Sequence, residues 1–297
     1  MTPEANGVDV LEVEGVRLCV QRRGAELVSM QVRNASGEWR GFLHRDGQLE
    51  LPVKGWGNHA TVMGYYVHRL LGGRSNYLGR TIEGGTHGFL RHFEFGPPVR
   101  AGAALVYSLQ PSAIPEGAYP LAVGFELSYA VVDGAVVVGF GFENREERRT
   151  AHLSFGLHPG FAVTSAYELD APQGRYVRHM APGNFLDGRV ETLDHKGGNL
   201  PIDRSRLVDS YLFELAGVPE PIFVLRDEGW ELELDFRGVP YCTLWSDGGP
   251  FLCVEPCWGL PDSQPQKPFE EKDGIQAIPP LQTLRASFRM RPLLAQS

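Results

Sequence analysis

The chain has 297 residues, 42% hydrophobic and 22% charged, with a formal net charge of −8. These proportions are ordinary for a globular protein, and the acidic balance excludes an extended nucleic-acid surface, which needs clustered Lys and Arg. No apolar run reaches the roughly 18 residues of a membrane-spanning helix, and residues 1–15 show neither the basic nor the apolar region of a secretory leader, so none is expected.

Residues 8–13 and 16–21 run apolar or alternate on either side of Glu14-Gly15, which predicts a hairpin. Residues 26–33, with Leu27, Met30 and Val32, predict a third strand, and 39–43 a short one after the turn at 34–37. The stretch 47–57, carrying Pro52, is irregular. Residues 61–71 are apolar except for His68 and Arg69, and 72–85 is a glycine-rich connection. It leads into 86–95, THGFLRHFEF, read as a loop entering a strand. There Phe89, Phe93 and Phe95 can anchor the segment while His87 and Arg91 face a cavity.

Strands at 104–109, 125–132 and 135–142 follow, the last two joined by Asp133-Gly134, a strong hairpin signal. Residues 153–163 predict another strand, and 171–203 reads as loop. The one helical pattern is 204–215, RSRLVDSYLFEL. Residues 222–226 and 230–236 flank Asp227-Glu228-Gly229 as a hairpin. Strands at 241–246, 251–255 and 283–290 complete the set, and 261–272 is a polar loop. Many short strands separated by turns predict an all-β sandwich or barrel. With no internal repeat or linker, 1–297 reads as a single domain.

Strand periodicity makes sharper claims at two places. In 153–158, His158 shares a face with Ser154 and Gly156, while Leu153, Phe155 and Leu157 point the other way. In 251–255, Glu255 shares a face with Phe251 and Cys253, and Leu252 and Val254 point to the core. A carboxylate in so apolar a strand is costly unless it is paired or lines a wet cavity. Taken singly, His158 as a structural histidine, Arg91 as a surface arginine and Glu255 as half of a buried ion pair are the commoner readings. Cys19, Cys242, Cys253 and Cys257 match no zinc spacing. Although Cys253 and Cys257 bracket Glu255, the four read as reduced, small apolar residues, and a cytoplasmic location is expected.

As a set, three segments resemble the aldose 1-epimerase, or galactose mutarotase-like, family. His87-Gly88-Phe89-Leu90-Arg91 is similar to the HGFAR motif of one subgroup. His158-Pro159-Gly160-Phe161 matches a histidine-proline followed by an aromatic, and Glu255-Pro256-Cys257-Trp258-Gly259 a glutamate-proline-tryptophan-glycine cluster with the tryptophan displaced by Cys257. Arg69 matches an upstream arginine, though His68 precedes it, and Asp209 is a candidate for an aspartate that contacts sugar hydroxyls. The resemblance implies a large twisted antiparallel β-sandwich, a supersandwich with a sugar cleft. It also implies interconversion of α and β anomers without cofactor or metal. On that reading Glu255 is the base on the C1 hydroxyl, His158 the acid on the ring oxygen, and His87 a hydrogen-bond donor. Arg91, Arg69 and Asp209 hold the sugar, and Trp258 packs on its face unless it belongs to the core.

Three rivals remain at this level. One is a sugar-binding or sugar-sensing module without turnover. Another is a metal-dependent barrel using His87, His92, Glu94 and His158. The third is a glycoside hydrolase, for which only one carboxylate, Glu255, stands out. Arg69, Arg74 and Arg80 raise the further alternative of a hexose-6-phosphate substrate. The sequence carries no sign of oligomeric state.

Overall fold

Hairpins dominate the architecture because alternating sequences separated by turn residues pair most readily with their chain neighbours. A computed structural model describes residues 7–51 and 53–294; Pro52 and the first six residues, part of the stretch read as carrying no leader, lie outside them. Two large antiparallel sheets make up the body. The nine-stranded sheet has Thr283–Leu294 at its centre, between Trp230–Asp235 and Ala135–Asn144. The eight-stranded sheet runs through Val190–His195, Gly174–His179, Tyr211–Gly217, Tyr241–Trp245, Phe251–Trp258, Ala151–Ala162 and Gln276–Ile278, with Ala60–Tyr65 paired to Ala151–Ala162. A four-stranded sheet from Val8–Val13 to Trp39–Gly41 and the hairpin Arg74–Tyr77 with Arg80–Glu83 complete the fold.

The sheets pack face to face through aromatics that alternation aims inward. Phe140 and Phe142 of one meet Phe155 of the other at centroid separations of 5.3 and 4.7 Å. Leu153, Phe155 and Leu157 are all fully buried, as is Leu252 beside Val254. Truncating such a phenylalanine to alanine costs about 3–5 kcal/mol, because little can collapse into the space.

Several segments depart from expectation. Residues 204–215 are not a helix: a short 3-10 turn, Arg204–Asp209, hands over to the strand Tyr211–Gly217. Asp203 caps the turn by accepting from the Ser205 amide, and Ser210 ends it at φ +62°. Tyr211, Phe213 and Leu215 then enter the main core in strand alternation, paired to Tyr241–Trp245. Propensity yields there to an available sheet partner. The loop read at 171–203 contains the hairpin of Gly174–His179 and Val190–His195. Residues 86–95 do not enter a strand but make a 3-10 turn, Leu90–His92.

Candidate functional site

A row of four residues crosses the eight-stranded sheet. Ala151–Ala162 lies between Ala60–Tyr65 and Phe251–Trp258. The pairing of Gly156 with Cys257 and Gly160 with Cys253 sets His158 opposite Glu255. His158 also pairs with Thr61, and Glu255 with Thr243. Pro159 and Pro256 offer no N–H here, so the ladder opens between the two strands at this point. Thr61, His158 and Glu255 form the floor of a cavity of about 280 Å³.

Segments outside the sheet supply the walls. His87 is placed by a close approach of two backbones: Gly88 bridges Gly64 in parallel, and a Cβ at Gly88 would overlap the Gly64 carbonyl. Gly88 is also at φ +70°, so only glycine fits without strain. His87 itself sits at φ +66° and His68 at φ +56°, each a conformation costing on the order of 1–3 kcal/mol for a non-glycine residue. They hold one another. The His87 amide donates to the His68 carbonyl at 2.7 Å, and the His68 amide donates to His87 Nδ1 at 3.1 Å. That second bond fixes the His87 tautomer, leaving its proton on Nε2.

Trp56, which sequence reasoning did not select, forms another wall. Its ring stacks on His158 at 5.1 Å and on Phe251 at 5.1 Å. Gly160 makes the space, since a Cβ there would overlap the indole. Asn58, with its amide turned to satisfy both donors, accepts from Trp56 Nε1 at 3.1 Å and from Arg91 Nη2 at 3.3 Å. Trp245, at the end of its strand, meets His158 edge-on at 5.7 Å. The available signal was Trp56 alone between Gly55 and Gly57, a large aromatic in an irregular loop.

His158 Nε2 lies 3.3 Å from Glu255 Oε1, the separation of an ion pair. Burial argues against charge separation here. It pushes His158 down to about 3, helped by His68 and Arg91, and pushes the Glu255 carboxyl well above its usual range. Among the described residues, no protein group donates to Glu255 Oε2, which adds to the cost of a carboxylate there. Desolvation thus favours the neutral form of each group, a protonated Glu255 carboxyl beside a neutral His158. Burial also holds His68 at about 4 and His87 well below its ordinary value. Burial thus takes His158 out of the near-neutral range of an ordinary histidine.

Of the residues selected from sequence, His87, His158, Glu255, Arg91, Arg69 and Asp209 all line this cavity. Arg69 and Asp209 are exposed at its rim, and Asp209 also pairs with Arg206 at 3.6 Å. Trp258 is a correction. It stacks on Phe155 at 4.8 Å inside the sandwich and donates to the Gly238 carbonyl. The reason is strand parity: Leu252, Val254 and Trp258 share the core face, while Phe251, Cys253, Glu255 and Cys257 share the other. Cys257 occupies the position facing the site side. The proposed barrel ligand set is not assembled either, because His92 lines a neighbouring cavity that His87 and His158 do not reach. Among the described residues, the group within ligating reach is His158, Cys253 and Glu255. Among them too, no helix is long and apolar enough to cross a membrane.

Comparison with known proteins places the fold. No protein-family model and no curated protein matches the chain. Solved structures do. A galactose mutarotase-related enzyme from Lactobacillus acidophilus superposes with a TM-score of 0.86 at 22% identity, covering 98% of each chain. A galactose mutarotase-like protein from Lactobacillus casei gives 0.83 at 21% identity, over 97% of this chain and 100% of that one. Galactose 1-epimerase from Lactobacillus acidophilus gives 0.71 at 12% identity, over 97% and 94%. The architecture is thus the galactose mutarotase-like β-sandwich. Aldose 1-epimerases are among the proteins that share it.

Proposed function

We propose that the protein is an aldose 1-epimerase acting on a free sugar, with Glu255 and His158 as the proton-transfer pair. The observation that carries this reading is their 3.3 Å approach on the cavity floor, where both side chains are buried. Ring opening needs a proton removed from the C1 hydroxyl and one delivered to the ring oxygen. Sugar hydroxyls entering the cavity hydrogen-bond to a carboxylate and lower the cost of charging it. The proton then passes from Glu255 to His158. Glu255 takes the C1 hydroxyl proton while His158 gives its own to the ring oxygen. The open-chain sugar is left beside a protonated Glu255 and a neutral His158, the pair's resting form. After rotation about C1–C2, the reverse transfers close the ring on the other face.

The remaining residues position the sugar. His87 presents an Nε2 proton to a hydroxyl, and Arg91, held by Asn58, supplies further donors. Arg69 and Asp209 contact hydroxyls at the rim, and the aromatic walls Trp56 and Trp245 suit the apolar face of a pyranose. Proton transfer between side chains accounts for the whole reaction, so activity is expected to survive exhaustive chelation.

Exchange spectroscopy by NMR across a panel of free and phosphorylated aldoses tests the proposal. Acceleration of anomer exchange for at least one sugar, abolished in Glu255→Gln, is expected. Saturable sugar binding with no acceleration would instead assign a sugar-sensing module.

A further inference from the structure

We infer that Cys253, His158 and Glu255 form a zinc site beneath the cavity floor, and that zinc bound there silences the acid–base pair. Binding stands on geometry alone; only the silencing rests on the function proposed above.

The donor set is that of a borderline cation: one sulfur, one imidazole nitrogen and one carboxylate. The ligand atoms all lie within 4.8 Å of one another and all three residues are buried. His158 Nε2 and Glu255 Oε1 are 3.3 Å apart. Two ligand atoms held about 2.0–2.1 Å from a tetrahedral zinc ion are separated by roughly that distance. Edges to a thiolate sulfur run to roughly 3.5 Å in such a shell, so Cys253 closes by little more than about 1 Å.

A second observation points the same way. Glu255 Oε2 is buried without a hydrogen-bond partner, an acceptor the folded chain leaves unused. Zinc bound through Oε1 brings a cation beside Oε2 and so offsets the partner that oxygen lacks. The charge also balances: one dication, one thiolate and one carboxylate sum to zero, which a buried site tolerates far better than any lone charge. Binding releases the thiol proton, because the ligand is the thiolate. Three protein ligands leave a fourth position, which opens to the cavity through His158 and Glu255. The ligands sit on adjacent central strands, Cys253 and Glu255 two residues apart on one face and His158 across from them, so the sheet preorganises the set. A zinc ion here occupies the base and the acid together.

The test titrates the intact protein, stripped by chelation, with zinc against a chromophoric competitor. Cobalt is titrated in parallel, because its bond to a thiolate gives a near-ultraviolet charge-transfer band. One ion per chain, a cobalt band, and loss of anomer exchange reversed by EDTA are expected. Cys253→Ala removes the band, weakens zinc by more than the roughly 10–100-fold that loss of a partner behind a ligand costs, and makes turnover insensitive to zinc. Cys253→Ser repeats the measurement with less change in volume, and thermal melts check that both variants are folded. Cys257→Ala, on the same strand face, keeps the band. A wild-type protein that takes up no zinc at large excess, or a band that survives both Cys253 variants, overturns the site. Zinc bound at full turnover overturns the silencing. Should the protein accelerate no anomer exchange, the cobalt band and zinc affinity still decide the site, and only the proposed function has failed.

Discussion

His158 Nε2 stands 3.3 Å from Oε1 of Glu255, across a strand pair whose register places the two residues opposite one another. Each sits where burial disfavours its charged form. In the proposed reaction the two groups act as proton donor and acceptor because their approach lets one proton pass between them.

Glu255→Gln separates a neutral carboxyl from a buried ion pair. Glutamine is nearly isosteric with a protonated glutamate but cannot accept the C1 proton. Anomer exchange should fall about 100-fold or more. Burial raises the Glu255 carboxyl, so the native protein keeps a proton that the unfolded chain releases above the usual carboxyl range. Wild-type stability therefore declines with rising pH until native Glu255 ionises. The variant lacks that decline, and its melting temperature should match or exceed wild type at pH 8. If the pair were ionic, the change would strand His158 and cost about 3–5 kcal/mol.

His158→Asn retains hydrogen bonding but not the proton. Turnover should drop about 10²–10⁴-fold while sugar binding, followed by calorimetry, persists. Unchanged turnover would return His158 to a structural role.

Acid should destabilise the fold in a defined window. His68 is held at about 4 and His158 at about 3, with His87 also lowered, all from an ordinary 6.5. Below pH 6.5 the unfolded chain takes up protons that the native protein refuses. Each such histidine removes about 1.4 kcal/mol per pH unit, and the loss continues down to the folded values. Urea denaturation from pH 7 to 4.5 measures the slope. In His68→Gln, which removes one of the three, the slope should be shallower by about one proton.

Trp56 and Gly160 should act as a unit. Trp56→Ala removes the wall stacked on His158 and should raise KM about tenfold, the worth of one aromatic contact. Gly160→Ala pushes the same indole aside and should raise KM similarly, with the global fold intact by circular dichroism. An unaffected KM in both would remove Trp56 from the sugar's path.

Gly88→Ala should be the most damaging small substitution near the site. Its Cβ would meet backbone rather than a movable side chain, at φ +70°. A loss of about 2 kcal/mol or more is expected, with His87 displaced and activity reduced. Thermal denaturation measures the first effect and anomer exchange the second.

Local pattern alone determined much of this protein. Strand parity put His158 with Ser154 and Gly156, and Glu255 with Cys253, on faces turned from the core, and Asp133-Gly134 marked its hairpin correctly. The same parity, carried three residues further, would have sent Trp258 into the sandwich, where it lies. Tertiary structure decided the rest. The strand Tyr211–Gly217 exists because Tyr241–Trp245 offers it an edge, against its helical pattern. Trp56 reaches His158 from a distant irregular loop, and the gap of 3.3 Å between His158 and Glu255 depends on a pairing nearly a hundred residues apart in the chain. The shifted proton affinities follow from that assembly, since desolvation is a property of the packed interior and not of any residue's neighbours in sequence.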